Sequence, residues 1–258
     1  MPRALLIDIS GTLLDRESPF PGVAQWFARL KQSQIPFRLL TNTTIQTRTS
    51  LCRQLQNSGL DIAIEHIINP ESVAYYYCQN QFQNSSIRLL LKHVEMPWHE
   101  FTFDDDNPGL IILGDLGPEL NRSLLDSIFR QMLAGSKLIA LHKSRYWRNQ
   151  GRLELDLGGF VALLEYATGK VAQIVGKPSV DFFTSACAAM KVPAREVLMI
   201  GDDLHGDCLA ARQAGLQVLQ VRTGKCQPDD DSQALEAGIK QIATIADVAF
   251  AEQEIVWH

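Results

Sequence analysis

An α/β fold, built on a doubly wound parallel sheet with a second α/β domain inserted into it, is the architecture this sequence predicts. Four short apolar runs, Ala4 to Ile7, Pro36 to Leu40, Val197 to Ile200 and Val218 to Val221, each stop at a polar or glycine-containing segment, as buried parallel strands do. Helical patterns lie between the runs, and such alternation of strand and helix is the mark of this class. The stretch from about Ser85 to Val171 separates two groups of these endings and carries strands and helices of its own. With 258 residues, 46% of them apolar, the chain can bury one large core or two modest ones.

Taken in order, Ala4 to Ile7 delivers the Asp8 carboxylate to the carboxyl edge of the sheet, and Val23, Trp26, Phe27 and Leu30 share one helix face. Pro36 to Leu40 ends at Thr41-Asn42. The insert reads as a strand Ile87 to Leu91, a strand Leu110 to Leu113, a helix Arg122 to Leu133 closed by Gly135, a strand Lys137 to Leu141 and a helix Phe160 to Thr168 closed by Gly169. Hinges are expected near Gln83-Asn84 and Lys170-Val171, which divides the chain into a core of residues 1–84 and 172–258 and an insert of residues 85–171. Beyond the insert, Phe182, Phe183, Ala186 and Met190 form a helix face with Ser179 as N-cap. Val197 to Ile200 then ends at Gly201-Asp202-Asp203, Gly215 closes a helix from Leu209 to Ala214, and Val218 to Val221 leads into Arg222-Thr223-Gly224. Ligands of such sheets bind outside the carboxyl ends of the strands, which is where these polar endings fall.

The net charge of −5 disfavours a nucleic-acid binder, which needs a basic surface, so an anionic substrate requires a local site. The five cysteines, Cys52, Cys78, Cys187, Cys208 and Cys226, lack the spacing of a zinc or redox pair and read as free thiols. The first residues lack the apolar core of a signal peptide, and no stretch reaches the roughly 18 apolar residues of a membrane span. The expectation is a cytoplasmic protein.

The chemistry concentrates in Asp8-Ile9-Ser10-Gly11-Thr12-Leu13, a carboxylate at a strand end before a turn that glycine permits. Alone, Asp8 could equally cap that turn. Thr41-Asn42, Lys177 within Gly176-Lys177-Pro178, and Gly201-Asp202-Asp203-Leu204-His205-Gly206-Asp207 follow in order, each in a matching context. Together they resemble the four signature motifs of the haloacid dehalogenase superfamily. The resemblance implies that Asp8 is a nucleophile forming an aspartyl-phosphate. It also implies Mg²⁺ held by the Asp8 carboxylate, the Ser10 carbonyl oxygen and the Asp202 carboxylate. Thr41 and Asn42 would bind the phosphoryl group, Lys177 would neutralise charge on nucleophile and phosphate, and N–H groups near Gly11 would complete the cradle. Asp203 and Asp207 would play supporting parts around the metal and Lys177. Unit charges about 4 Å apart interact by roughly 4 kcal/mol at an effective dielectric of about 20. The acidic residues would therefore repel one another and the phosphate unless a cation and Lys177 offset them.

One departure stands out. Most phosphatases of this superfamily carry a second aspartate two residues after the nucleophile as general acid and base, and here that residue is Ser10. Serine keeps the carbonyl ligand but removes a group typically worth about 10²–10⁴-fold in rate. Either the leaving group needs little help, as in pyrophosphate or a phosphoramidate, or Asp15, His142 or His205 supplies the proton. The literal Asp-Ile-Ser-Gly, with Arg145-Tyr146-Trp147, Val175 to Phe183, Met199 to Asp207 and Gln220 to Lys225, is similar to the phospholysine phosphohistidine inorganic pyrophosphate phosphatase group. That group falls in subfamily IIA, whose NagD-like α/β cap (type C2) is inserted where residues 85–171 lie. The expected ligand is a small phosphorylated compound, with no membrane or nucleic-acid partner, and the resemblance admits a homodimer through the cap. The alternative is a weakly active or inactive phosphate-binding member of the fold that acts through protein interaction.

Overall fold

Six parallel strands form the main sheet in the computed structural model of the chain, which describes residues 2–149, 152–251 and 254–256. From one edge to the other they are Lys240–Ile242, Gln217–Val221, Val197–Gly201, Ala4–Asp8, Phe37–Leu40 and Ile67–Ile68. Every neighbouring pair is parallel, so all six carboxyl ends share one edge. Strands later in the chain build outward from one side of Ala4–Asp8 and earlier ones from the other, so the order reverses between Ala4–Asp8 and Val197–Gly201. A doubly wound sheet opens its ligand crevice at such a reversal. Both flanking strands are buried along their whole length, which accounts for their unbroken apolar runs.

The helix Val23–Ser33 buries Val23, Trp26, Phe27 and Leu30, the face its spacing predicts, and the Trp26 indole donates to the Val248 carbonyl at 2.9 Å. The helix Val180–Met190 buries Phe182, Phe183, Ala186 and Cys187; the predicted Met190 lies at its half-buried end. The helices Arg48–Asn57 and Pro70–Gln81 were not among the predicted elements. The former is strongly polar and the latter buries residues on several sides, so neither shows a clean apolar stripe.

By internal contacts the chain forms two units. One holds the residues up to Thr41, Arg48–Ile68 and those from Val180 onward; the other holds Asn42–Thr47 and Asn69–Ser179. The second unit has its own four-stranded parallel sheet, in the order Gln173–Ile174, Lys137–Ala140, Leu110–Leu113, Ile87–Leu90. Its helix Arg122–Ala134 is capped by the Asn121 side chain and closed by Gly135. Its helix Leu157–Thr168 starts three residues before the predicted Phe160, because Asp156 caps it, accepting from the Leu157 N–H. A hairpin of Tyr146–Asn149 and Arg152–Leu155 completes the unit.

Contacts thus group the helix Pro70–Gln81 with the insert, although the expected hinge at Gln83-Asn84 lies beyond it. Two side chains explain this. Buried Glu71 accepts from the Glu95 and Met96 backbone N–H groups at 2.8 and 2.9 Å and from the Trp98 indole at 3.2 Å, and the Tyr75 hydroxyl donates to Glu100. Glu71→Ala would leave buried donors unsatisfied and is expected to destabilise the protein by about 2–4 kcal/mol. Urea unfolding checks this, with Glu71→Gln, which keeps one acceptor, losing less.

Candidate active site

Asp8 is the last residue of Ala4–Asp8, and Asp202 directly follows Val197–Gly201, so the two carboxylates flank the point where the strand order reverses. Asp207 reaches the same place from the next segment. Leu204–Leu209 winds as a wide π-type turn, with the Cys208 N–H bonded to the Asp203 carbonyl at 3.2 Å, and Asp203 caps it by accepting from His205 and Gly206. Oxygens of Asp8, Asp202 and Asp207 all lie within 4.8 Å of one another, and the three residues are 4%, 1% and 1% exposed.

Three buried carboxylates this close cannot all ionise cheaply. Burial, then the charges of Asp8 and Asp207, push the Asp202 carboxyl well above the usual carboxylate range, while the Lys225 backbone N–H pulls the other way. Such a group of hard oxygen donors suits a small divalent cation, whose charge would remove the repulsion. The neighbouring backbone is shaped for close approach. A Cβ on Gly11, whose φ is +94°, would lie 2.2 Å from an Asp202 oxygen, and one on Gly201 would lie 2.5 Å from an Asp207 oxygen.

Thr41 follows Phe37–Leu40 at the same edge, is buried, and has its N–H bonded to the Ile68 carbonyl at 3.2 Å. Ser10 is exposed in the turn after Asp8. The Gly11 N–H is taken by the Leu14 carbonyl at 2.8 Å. What Gly11 supplies here is room beside Asp202. Asp203 receives the Lys225 ammonium at 3.2 Å.

Asn42 and Lys177 belong to the second unit, where they form a clamp. The Asn42 amide donates to the Lys177 carbonyl at 2.8 Å and accepts the Lys177 N–H at 2.9 Å. The Asn42 side chain therefore holds the backbone of buried Lys177. Gly176 permits this, since a Cβ there would meet the Leu141 carbonyl at 2.2 Å. In the same unit, Leu91, Gly114 and Leu141, at the carboxyl ends of its strands, line a shallow recess together with Thr43, Thr44 and Glu71. Of the residues weighed as substitute acids, Asp15 and His205 are exposed in the first unit, whereas His142 is buried in the second with a ring nitrogen 3.7 Å from Asp156.

The sequence places Arg222-Thr223-Gly224 at the ligand edge but assigns no role to the individual residues of this loop. There the Lys225 N–H donates to Asp202 Oδ2 at 2.6 Å and the Thr223 hydroxyl donates to the Gly11 carbonyl. The available signal was that Arg222-Thr223-Gly224 is itself a polar strand ending on the same edge.

Residues 5–96 match the family model described as haloacid dehalogenase-like hydrolase, and residues 174–248 match a second model described as HAD-hydrolase-like. A human phospholysine phosphohistidine inorganic pyrophosphate phosphatase is 36% identical over 235 residues, covering 89% of this chain and 86% of its own. A bovine haloacid dehalogenase-like hydrolase domain-containing protein 2 is 33% identical over 231 residues, covering 89% and 87%. NagD from E. coli K-12 superposes with a TM-score of 0.85 over 96% of this chain and 99% of its own at 24% identity. A p-nitrophenyl phosphatase from Archaeoglobus fulgidus does so at 0.84 over 95% and 97% at 21% identity, and these two likenesses bear on the fold. Sequence identity across most of the chain and the acidic cluster at the strand-order reversal lead to one conclusion: the chain belongs to the haloacid dehalogenase-like hydrolases, with a NagD-like fold, and is an enzyme of the phosphatase class.

Proposed function

We propose that this enzyme is a Mg²⁺-dependent phosphohydrolase that acts through an aspartyl-phosphate on Asp8. The observation that carries the reading is the convergence of buried Asp8, Asp202 and Asp207 within 4.8 Å at the ligand-binding edge of the sheet. Asp8, Asp202 and the Ser10 carbonyl would hold the cation, with Asp207 adding a third carboxylate. When bound, the cation supplies positive charge to the transferring phosphoryl oxygens.

In the first step an Asp8 carboxylate oxygen bonds to phosphorus as the bond from phosphorus to the leaving group breaks, and the electron pair departs with that group. In the second, water attacks phosphorus and gives up a proton to solvent, the bond to Asp8 breaks, the Asp8 carboxylate is regenerated and inorganic phosphate is released. Thr41 would donate its hydroxyl to the phosphoryl oxygens. Lys177, its backbone held by the Asn42 amide, would add positive charge.

Ser10 sets the substrate class. A side chain without a titratable proton favours leaving groups that depart unaided, so pyrophosphate or a P–N compound should be hydrolysed faster than an alkyl phosphate. Ser10→Asp is expected to raise alkyl phosphate turnover by about 10²-fold while changing pyrophosphate turnover much less. Steady-state rates across pyrophosphate, imidodiphosphate, phosphohistidine and an alkyl phosphate check this, and equal gains for every substrate would remove the leaving-group explanation.

The proposal extends to a cytoplasmic setting and a small phosphorylated substrate. Five free cysteines support the setting, and among the described residues no helix is long and apolar enough to cross a membrane. It also extends to a homodimer through the insert, supported by the exposed Leu153, Leu155, Leu163 and Tyr166. Light scattering should read twice the 28.8 kDa chain mass, and a Leu155→Lys variant should read one chain.

A further inference from the structure

The chemistry above gives no part to the loop that follows Gln217–Val221, yet that loop ties down the acidic cluster from three directions. Its Lys225 backbone N–H donates to Asp202 Oδ2 at 2.6 Å. Its Thr223 hydroxyl donates to the carbonyl of Gly11, within the turn that carries Ser10. Gly224 sits between them at φ +57°, where a Cβ would lie 2.1 Å from Asp202 Oδ2 and 2.5 Å from the Gly11 Cα. Beneath the loop, the fully buried Gln220 amide donates to the Asp202 carbonyl at 3.1 Å and accepts from Gln241 at 2.9 Å. Asp202 is thus held at both its backbone and its carboxylate by one strand and the loop that leaves it.

We propose that Thr223-Gly224-Lys225 is a positioning element that sets the cation affinity of the cluster by fixing the Asp202 carboxylate and the Ser10-Gly11 turn. This rests on the reading that the cluster holds a divalent cation. The terminal torsion of an aspartate is broad, so an N–H committed to one oxygen selects the orientation that leaves the other oxygen for a ligand. The threonine hydroxyl does the same for the turn whose Ser10 carbonyl is the second proposed ligand. The Lys225 ammonium contributes little by comparison, because its pairing with Asp203 is about half exposed and open to screening. Hydrogen bonds that orient metal ligands typically change metal affinity by about 10–100-fold when removed.

Thr223→Val keeps the shape and removes the donor, and Thr223→Ser keeps the donor. Mn²⁺ binding to the full chain, read by electron paramagnetic resonance without substrate, is expected to weaken about 10-fold in Thr223→Val and to be restored in Thr223→Ser. In parallel, the Mg²⁺ concentration for half-maximal turnover should rise in Thr223→Val while the substrate KM at saturating Mg²⁺ stays near wild type. A purely structural threonine would lower the melting temperature and leave Mn²⁺ affinity alone. Wild-type affinity in Thr223→Val would overturn the inference while leaving the cation site standing. Wild-type protein that binds Mn²⁺ no better than Asp202→Asn would overturn the cation site and the inference with it.

Discussion

Replacing Asp8 with asparagine is expected to abolish hydrolysis, lowering kcat by about 10⁴-fold or more while the protein stays folded. The side chain keeps its volume at the end of Ala4–Asp8 but loses the charge that makes it a nucleophile. Folding should be unharmed, since one of three mutually repelling buried carboxylates becomes neutral. Rates with pyrophosphate and Mg²⁺, read beside circular dichroism, check both halves. Turnover that survives in Asp8→Asn would mean that water, rather than Asp8, attacks phosphorus, or that the site lies elsewhere.

Asp202→Asn should separate activity from stability. Turnover should fall by at least about 10³-fold, because a proposed metal ligand and its charge are lost. The metal-free variant should nevertheless melt above the metal-free wild type at neutral pH. Burial and the charges of Asp8 and Asp207 hold the Asp202 carboxyl above the usual carboxylate range, so the folded state binds its proton more tightly than the unfolded state does. The stability tied to this proton is full below the unfolded value and is lost as pH rises through the raised folded value. Metal-free wild type should therefore lose stability across that window, and Asp202→Asn should lose less. Added Mg²⁺ should raise the melting temperature of wild type, as a ligand specific to the folded state does, and should do little for Asp202→Asn. Calorimetry with and without a chelator reads all of these, and a Mg²⁺ response in Asp202→Asn equal to wild type would contradict the assigned ligand.

The parts of the site legible in the sequence are those that lie at strand ends. Asp8, Thr41 and Asp202 each follow an apolar run, and parallel pairing in register, Ile7 beside Ile200 and Asp8 beside Leu40, carries them to one edge. Local pattern therefore fixed global position for these three. Contacts made across long sequence separation were not legible. The Asn42 clamp on Lys177 spans 135 residues and Thr223 on Gly11 spans 212, and no periodicity or motif spacing encodes such pairs. Gly11 shows the limit most clearly. Its N–H is taken by the Leu14 carbonyl, and the reason for glycine is the Asp202 carboxylate pressed against it, a contact across about 190 residues that no local pattern encodes. The helix Pro70–Gln81 escaped for another reason: Glu71, a charged residue, is buried because N–H groups from 95, 96 and 98 converge on it, a burial that hydropathy ranks as exposure.

The most direct test of the central claim is to trap the covalent intermediate. An acyl phosphate is reduced by borohydride whereas a free carboxylate is not. Wild-type protein should be mixed with substrate and Mg²⁺, quenched with borohydride, and digested for peptide mass spectrometry. The account predicts reduction of residue 8 to homoserine, dependent on substrate and Mg²⁺ and confined to that position. Active turnover with residue 8 recovered only as unmodified aspartate, or with the reduced residue at another carboxylate, would contradict it.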